Sequence, residues 1–275
     1  MELYIIDTGF FKLDGGAMFG VVPKTIWQRL NMPDAKNLCT WAMRCLLIVQ
    51  EDRRILIDTG LGNKQSEKFF SYVSPHGEAS LLSSLAKHGF SPADITDVIL
   101  THLHFDHVGG AVSRNENGDL VPTFPNAIYW SNEAHWQTAL KPNAREKASF
   151  LKENFVPLQE QDKLRFAKDG EEIMKGVCVQ FVHGHTHAMM LPHIEYKGKT
   201  LVYLADLIPS TAHIKLPYVM AYDMQPLLTL EEKKTYLEAA AQNGHILFFE
   251  HDPQIACATV KQTAKGVAFD KVFDL

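Results

Sequence analysis

Thr101 to His107 reads T-H-L-H-F-D-H and sets His102, His104, Asp106 and His107, all able to bind a metal, within six positions. Imidazole and carboxylate donors without a thiolate suit Zn, Mn, Co or Fe. In an extended segment side chains alternate faces, so His102 and His104 point the same way while Leu103 turns into the core. Asp106 and His107 follow where the chain should turn toward a helix, and the change of direction aims them at a second ion. The spacing therefore suits a two-metal cluster. The chain has 13 histidines, and scattered histidines are usually surface groups or hydrogen-bonded core residues. Here an apolar strand, Val98 to Leu100, precedes the group and Gly109-Gly110 follows it, which is a structural context and not only a composition.

The elements that must hold these residues can be read on either side. Leu3 to Ile6 and Arg44 to Val49 read as strands, and Arg54 to Ile57 continues from the second across the charged turn Gln50 to Arg53, as in a β-meander. Gly9 to Trp41 is rich in glycine, aromatics and methionine and lacks a clean period; it reads as a long ordered loop with a short helix. Glu78 to Lys87 has helical spacing and stops at Gly89, and Ser91 to Asp94 opens a short helical turn before the strand Asp97 to Leu100. After a polar turn at Asn115 to Asp119, Ala127 to Trp130 reads as a strand, Ser131 as the cap of a helix through Gln137, and Arg145 to Phe155 as helical. Val177 to Val182 is an apolar strand. Met189 to Tyr196 pairs with Thr200 to Ala205 through Lys197-Gly198-Lys199. Leu230 to Gln242 is a helix closed by Asn243-Gly244, and His245 to Glu250 is a strand. Strands with neighbouring helices in both halves indicate an α/β fold, two sheets packed face to face with helices outside.

Composition narrows the function. The chain has 275 residues, 46% of them apolar, with no uninterrupted apolar run of the roughly 18 residues that would cross a bilayer. One large α/β domain, residues 1–275, with an N-terminal loop insertion around 9–42, is expected. The formal charge of −5 lacks the basic excess that phosphate-backbone binding needs, so no nucleic-acid or membrane partner is expected and a small molecule fits better. Met1 to Tyr4 offers no signal-peptide pattern, which makes the cytoplasm the default. Cys39, Cys45, Cys178 and Cys257 form no C-x-x-C pair and read as mostly buried thiols.

Three more candidate ligands stand at strand ends, where a sheet can hold them rigidly: His185, Asp206 and His251. His185 lies in H-G-H-T-H, and spacing alone does not choose among His183, His185 and His187. Taken singly, Asp206 reads equally as a turn residue and His251 as a cap or surface residue. Together the motifs resemble the metallo-β-lactamase superfamily: H-x-H-x-D-H at His102 to His107, G-H-T at Gly184-His185-Thr186, then Asp206 and His251. The resemblance spans nearly the whole chain and includes Ile57-Asp58-Thr59-Gly60, whose aspartate would support the metal ligands from behind. It implies a four-layer αββα sandwich in which His102, His104 and His185 hold one ion, Asp106, His107 and His251 the other, and Asp206 bridges them. A carboxylate at Asp206, where zinc β-lactamases commonly carry Cys, points to the lactonase and esterase branches. Asp14 to Lys24, Ala205 to Pro209 and Ala221-Tyr222-Asp223 resemble N-acyl-homoserine-lactone lactonases of the quorum-quenching type, although Pro209 stands where well-known members carry Tyr.

The implied chemistry is hydrolysis by a metal-bridging hydroxide, since two divalent ions bring the pKa of water from about 15.7 to around 7. Zinc is favoured among the divalent ions only on abundance and family likeness. Asp106 is placed to pass a proton to the leaving alkoxide. His213 and Tyr222 are the candidates to steady the oxyanion, with a structural role as the equal alternative for both, and Met18, Phe19 and Trp27 to form an apolar acyl pocket, with simple core packing as the alternative for those three. A lactone or other ester is the expected substrate; aryl phosphotriester and glyoxalase-type thioester hydrolysis are the rivals. A metal-binding or di-iron redox protein is the non-hydrolytic alternative, and a homodimer is compatible with the sequence.

Overall fold

A computed structural model describes all residues, Met1–Leu275. The chain divides into two compact units, one formed by Met1–Gly9 with Met43–Lys168 and the other by Phe10–Ala42 with Asp169–Leu275.

The first unit is organised by a six-stranded sheet in the order Glu2–Asp14, Leu38–Gln50, Arg53–Ile57, Asp97–Ile99, Ile128–Ser131, Leu164–Phe166; the distal ends of the first two strands, Phe10–Asp14 and Leu38–Ala42, are counted in the second unit. Leu38–Gln50 and Arg53–Ile57 are antiparallel across a tight turn, and the last four strands run parallel. A parallel strand covered on both faces should be apolar throughout, and Asp97-Val98-Ile99 is buried at every position. Its one charge, Asp97, is neutralised by Arg53 at 2.7 Å and also accepts from the Trp130 indole N–H. Leu81–Lys87 is a helix fixed by a Ser80/Ser83 capping box, and its Leu81 and Leu85 join Leu56, Val98, Leu100 and Leu103 in one core cluster.

The second unit carries a seven-stranded sheet in the order Gly266–Val272, Cys257–Thr263, Ile246–Phe248, Lys199–Tyr203, Met189–Tyr196, Val177–Val182, Glu172–Met174. All its pairings are antiparallel except Lys199–Tyr203 with Ile246–Phe248. The crossover between those two parallel strands contains the helix Pro226–Asn243, with Pro at its start and Gly244 in the left-handed conformation (φ 66°) at its end. Gly184 is required by that helix: a Cβ there would stand 2.4 Å from the Thr229 backbone nitrogen.

Several boundaries differ from the sequence reading. The stretch from Gly9 to Trp41 is bounded by strand ends, Glu2–Asp14 and Leu38–Gln50, and contains two short helices, Gly15–Phe19 and Lys24–Trp27. Asp14 caps the first of them, a polar N-cap that the mixed composition concealed. The cap of Glu133–Leu140 is Asn132, not Ser131. Arg145 to Phe155 is mostly turn, with a 3-10 segment at Lys152–Asn154, and the regular helix begins at Val156. The hairpin Cys257–Thr263/Gly266–Val272 has no counterpart in the sequence reading, because its second strand is largely exposed and its apolar residues do not alternate with polar ones. All four cysteines are free thiols, three buried and Cys178 half-buried. No helix is long and apolar enough to cross a membrane.

Candidate metal centre

Thr101 to His107 begins where the strand Asp97–Ile99 ends. The chain stays extended through His104, which has β-region dihedrals and stands before the short helix Phe105–Val108. Leu103 is fully buried in the core, and the His102 and His104 rings lie 4.5 Å apart, as alternation requires. The helical turn then brings the His107 ring to 4.0 Å from that of His102. Two glycines allow this turn to pack tightly, because a Cβ on Gly109 would fall 1.9 Å from the Leu61 carbonyl oxygen.

Asp58 organises the residues around this motif. Fully buried, its carboxylate accepts from the Thr101 amide at 2.8 Å and the Thr101 hydroxyl at 2.6 Å, and its Oδ2 lies 3.1 Å from His107 Nδ1. Asp58 itself sits at φ 58°, a left-handed conformation that Asp tolerates better than most residues. Thr59 completes the tie through two bonds to the His107 carbonyl oxygen, from its amide at 2.7 Å and its hydroxyl at 2.9 Å. Because the Thr101 hydroxyl donates to Asp58, its oxygen is free to accept from His102 Nδ1 at 3.1 Å. Nε2 of both His102 and His107 is thereby left as the lone-pair nitrogen, while His104, whose Nε2 lies 3.2 Å from Glu146, presents Nδ1.

The second unit holds the other residues. His185 and His251 stand on opposite oxygens of one carboxylate: His185 Nε2 is 3.1 Å from Asp206 Oδ2, and His251 Nε2 is 3.0 Å from Asp206 Oδ1. Each ring is oriented from behind, His185 Nδ1 by Asp223 at 2.9 Å and His251 Nδ1 by the Ala42 carbonyl at 2.7 Å. Asp206 follows Ala205, a non-glycine residue at φ 43°, a strained backbone of the kind that concentrates at functional sites. Burial disfavours a charged His185, but Asp206 and Asp223 outweigh it and raise its pKa to about 10. Two carboxylates thus crowd one buried imidazole, an excess of negative charge that a divalent cation would neutralise. The donor set, imidazole nitrogens whose other nitrogens are engaged plus buried carboxylates, fits divalent metal.

Among the H-G-H-T-H histidines the structure separates what spacing left open. His185 is buried between two carboxylates, His183 Nδ1 accepts from the Ala188 amide, and His187 is exposed. Asp223 and Glu146 were not assigned roles in the sequence reading. Asp223 stood in a quoted motif, but Glu146 is 42 residues from its partner His104 and carried no local signal. Replacing Asp223 with Ala, which leaves His185 Nδ1 without its acceptor, is expected to weaken metal binding about 10- to 100-fold in a chelator competition.

For His213, Met18, Phe19 and Trp27 the structure favours the packing role over the catalytic or pocket one. His213 was a candidate to steady an oxyanion, but both of its ring nitrogens are committed: Nε2 donates to the Met18 carbonyl at 2.9 Å and Nδ1 accepts from the Ser210 hydroxyl at 2.7 Å. Its ring stacks on Phe19 at 4.7 Å, and Phe19 stacks on Trp27 at 5.3 Å. Met18, Phe19 and Trp27 are 1%, 0% and 1% exposed, so their apolar surface is consumed by packing and does not line an open acyl pocket. Tyr222 is 37% exposed and immediately precedes Asp223. Pro209, which supplies no side-chain donor, accepts the His251 amide on its carbonyl oxygen at 3.0 Å.

Burial lowers His213 to about 3. The unfolded chain therefore binds a proton at this residue between about pH 6.5 and 3 that the folded chain does not, so this stabilisation is complete above pH 6.5 and declines as pH falls through that window. Denaturant midpoints at pH 7 and pH 4.5 should draw together in a His213→Gln variant; an unchanged pH dependence would refute the assignment.

Comparison with known proteins supplies the family. The metallo-beta-lactamase superfamily model matches residues 44–251. The chain belongs to that superfamily. Its fold is the superfamily's α/β sandwich, and the chain is a metal-dependent hydrolase. It is 25% identical over 264 residues to the N-acyl homoserine lactonase AiiA of Bacillus thuringiensis subsp. kurstaki, covering 91% of this chain and 93% of that one. A probable metal-dependent hydrolase from Staphylococcus aureus superposes with a TM-score of 0.89 at 29% identity, covering 100% of this chain and 98% of its own. AidC, a dizinc quorum-quenching lactonase solved with the product N-hexanoyl-L-homoserine, superposes at 0.80 with 23% identity, covering 99% and 95% of the two chains, a likeness of fold.

Proposed function

We propose that this superfamily member is a dinuclear lactonase of the N-acyl-homoserine-lactone type, with the whole chain acting as one hydrolase domain. His102, His104 and His185 would hold one ion, Asp106, His107 and His251 a second, and Asp206 would bridge them. The observation that carries this reading is the placement of one imidazole Nε2 on each oxygen of Asp206, the arrangement a bridging carboxylate needs. Zinc is the preferred metal on its affinity for nitrogen and oxygen donors and on the dizinc lactonase neighbour. Such ions supply a nucleophilic water at neutral pH and polarise the carbonyl under attack.

The chain's own groups do the rest. Asp58, Glu146 and Asp223 stand behind His107, His104 and His185 and would fix their tautomers, so that each imidazole would offer a lone pair to the metal. Asp106, with Oδ2 3.8 Å from His107 Nε2, would carry the proton to the leaving ring oxygen once the carbonyl carbon is attacked. Opening a lactone turns that oxygen into an alcohol on the same molecule and leaves a carboxylate. Tyr222, exposed beside Asp223, is the remaining candidate to steady the oxyanion.

The test is a panel on metal-loaded protein that compares acyl-homoserine lactones, aryl esters, phosphotriesters and glutathione thioesters by kcat/KM. A lactone preference is expected. A phosphotriester preference of tenfold or more, about 1.4 kcal/mol in transition-state binding, would replace lactone by phosphoryl chemistry at the same centre.

A further inference from the structure

The second unit contains a cavity of about 650 Å³ in which none of the residues assigned above takes part. That volume lies within the range of small-molecule sites. Three elements enclose it: the segment Ile214 to Tyr218, one face of the helix Pro226–Asn243, and the tip of the hairpin Cys257–Thr263/Gly266–Val272. Its walls are mainly apolar, with Leu216 and Pro217 on one side, Leu237 as a buried floor, and Val267 and Ala268 opposite.

The charge on this cavity is one-sided. Lys215, Lys234 and Lys265 line it, against a single carboxylate, Glu238. Lys234 and Glu238 are one helical turn apart and 3.9 Å from each other, with about 60% of both side chains exposed, a pairing that water largely screens. Two positive charges therefore remain in excess beside an apolar floor.

The walls are built rigidly. Lys233, fully buried one helical turn before Leu237, donates through Nζ to the carbonyl oxygens of Lys215 at 2.8 Å, Leu216 at 3.3 Å and Tyr218 at 2.8 Å, and so staples the segment in place. The Lys215 ammonium stands 5.4 Å from the Tyr218 ring centroid. At the hairpin tip the Thr263 hydroxyl donates to the Gly266 carbonyl at 2.6 Å and accepts from the Lys265 amide at 3.2 Å, which fixes the backbone that carries Lys265. A preformed wall lowers the ordering cost of binding.

We propose that this cavity binds an amphipathic carboxylate, a medium-length alkyl chain lying on Leu216, Leu237 and Val267 with its carboxylate among Lys215, Lys234 and Lys265. Charge complementarity selects an anion over a neutral or cationic amphiphile, and the apolar floor selects an alkyl chain over a small inorganic anion. The site is separate from the metal-binding residues and does not depend on which ester the enzyme hydrolyses.

The probe is decanoate below its micelle concentration, titrated into metal-loaded protein with calorimetry and with methyl NMR of Leu216, Leu237 and Val267. Saturable one-to-one binding that shifts those methyls is expected. A Lys234→Gln/Lys265→Gln variant should weaken it about tenfold or more, and Ala268→Trp, which fills the cavity, should abolish the shifts. Both variants should leave hydrolytic activity and metal content unchanged. Equal affinity for decyltrimethylammonium, binding unaffected by loss of the lysines, or shifts confined to residues around Asp206 would overturn the proposal.

Discussion

Asp206→Ala is expected to release metal and activity together. The variant removes the carboxylate whose two oxygens face His185 and His251, so both imidazoles lose the same partner in one step. Removal of a residue that only supports a metal ligand typically costs 10- to 100-fold in affinity or activity, and loss of a bridging ligand should exceed about 100-fold. Metal content by elemental analysis after dialysis, read beside kcat/KM, checks this. Full occupancy of two ions in the variant would sink the bridging assignment. Asp206→Cys is an informative companion, because a thiolate still binds zinc but offers one sulfur where the carboxylate offered two separated oxygens.

Asp58→Ala should be the most damaging change at a residue that need not touch metal. It would leave the Thr101 amide, the Thr101 hydroxyl and His107 Nδ1 without their acceptor in a fully buried place. Breaking a buried charged network by deleting one partner costs about 3–5 kcal/mol, and a Tm lower by roughly 10 °C follows for a chain of this size. Metal affinity should fall about 10- to 100-fold in the same variant, because His107 takes its tautomer from this carboxylate directly and His102 takes its own through the Thr101 hydroxyl that the carboxylate orients. Asp58→Asn separates the two effects. It keeps one acceptor oxygen but turns an N–H₂ toward donors, so it should recover part of the stability and less of the metal affinity. Thermal melts with and without chelator, and chelator competition, read them independently.

Much of this centre is legible in the chain because metal-binding chemistry restricts residue types so strongly. His102, His104, Asp106 and His107 lie close together since one strand end and one helical turn deliver them, and local geometry alone brings their rings within 4.0 to 4.5 Å. Helices with strong punctuation were also legible: Pro226–Asn243 ends at Gly244 as its Asn-Gly sequence requires. Elements with weak punctuation were not. The segment from Arg145 to Phe155 has helical composition but spends its polar groups on turns, in which the Asn143 side-chain oxygen accepts from the Arg145 and Glu146 amides. The short helix Gly15–Phe19 hides in a glycine-rich stretch and forms because Asp14 caps it and Phe19 packs under His213.

The sequence by itself determined the family and the kinds of metal-binding residue it carries, because those depend on residue types at short, fixed spacings. Tertiary structure decided which nitrogen each histidine offers, since that depends on what stands behind the ring, and the partners come from distant positions: Glu146 for His104, Asp223 for His185, Ala42 for His251. It also set His185 apart from His183 and His187, by burying that one between two carboxylates. For the same reason it removed His213 from the reacting groups and Met18, Phe19 and Trp27 from an open pocket. A ring with both nitrogens hydrogen-bonded and a side chain with no exposed surface are already spent, and only the packed structure shows on what.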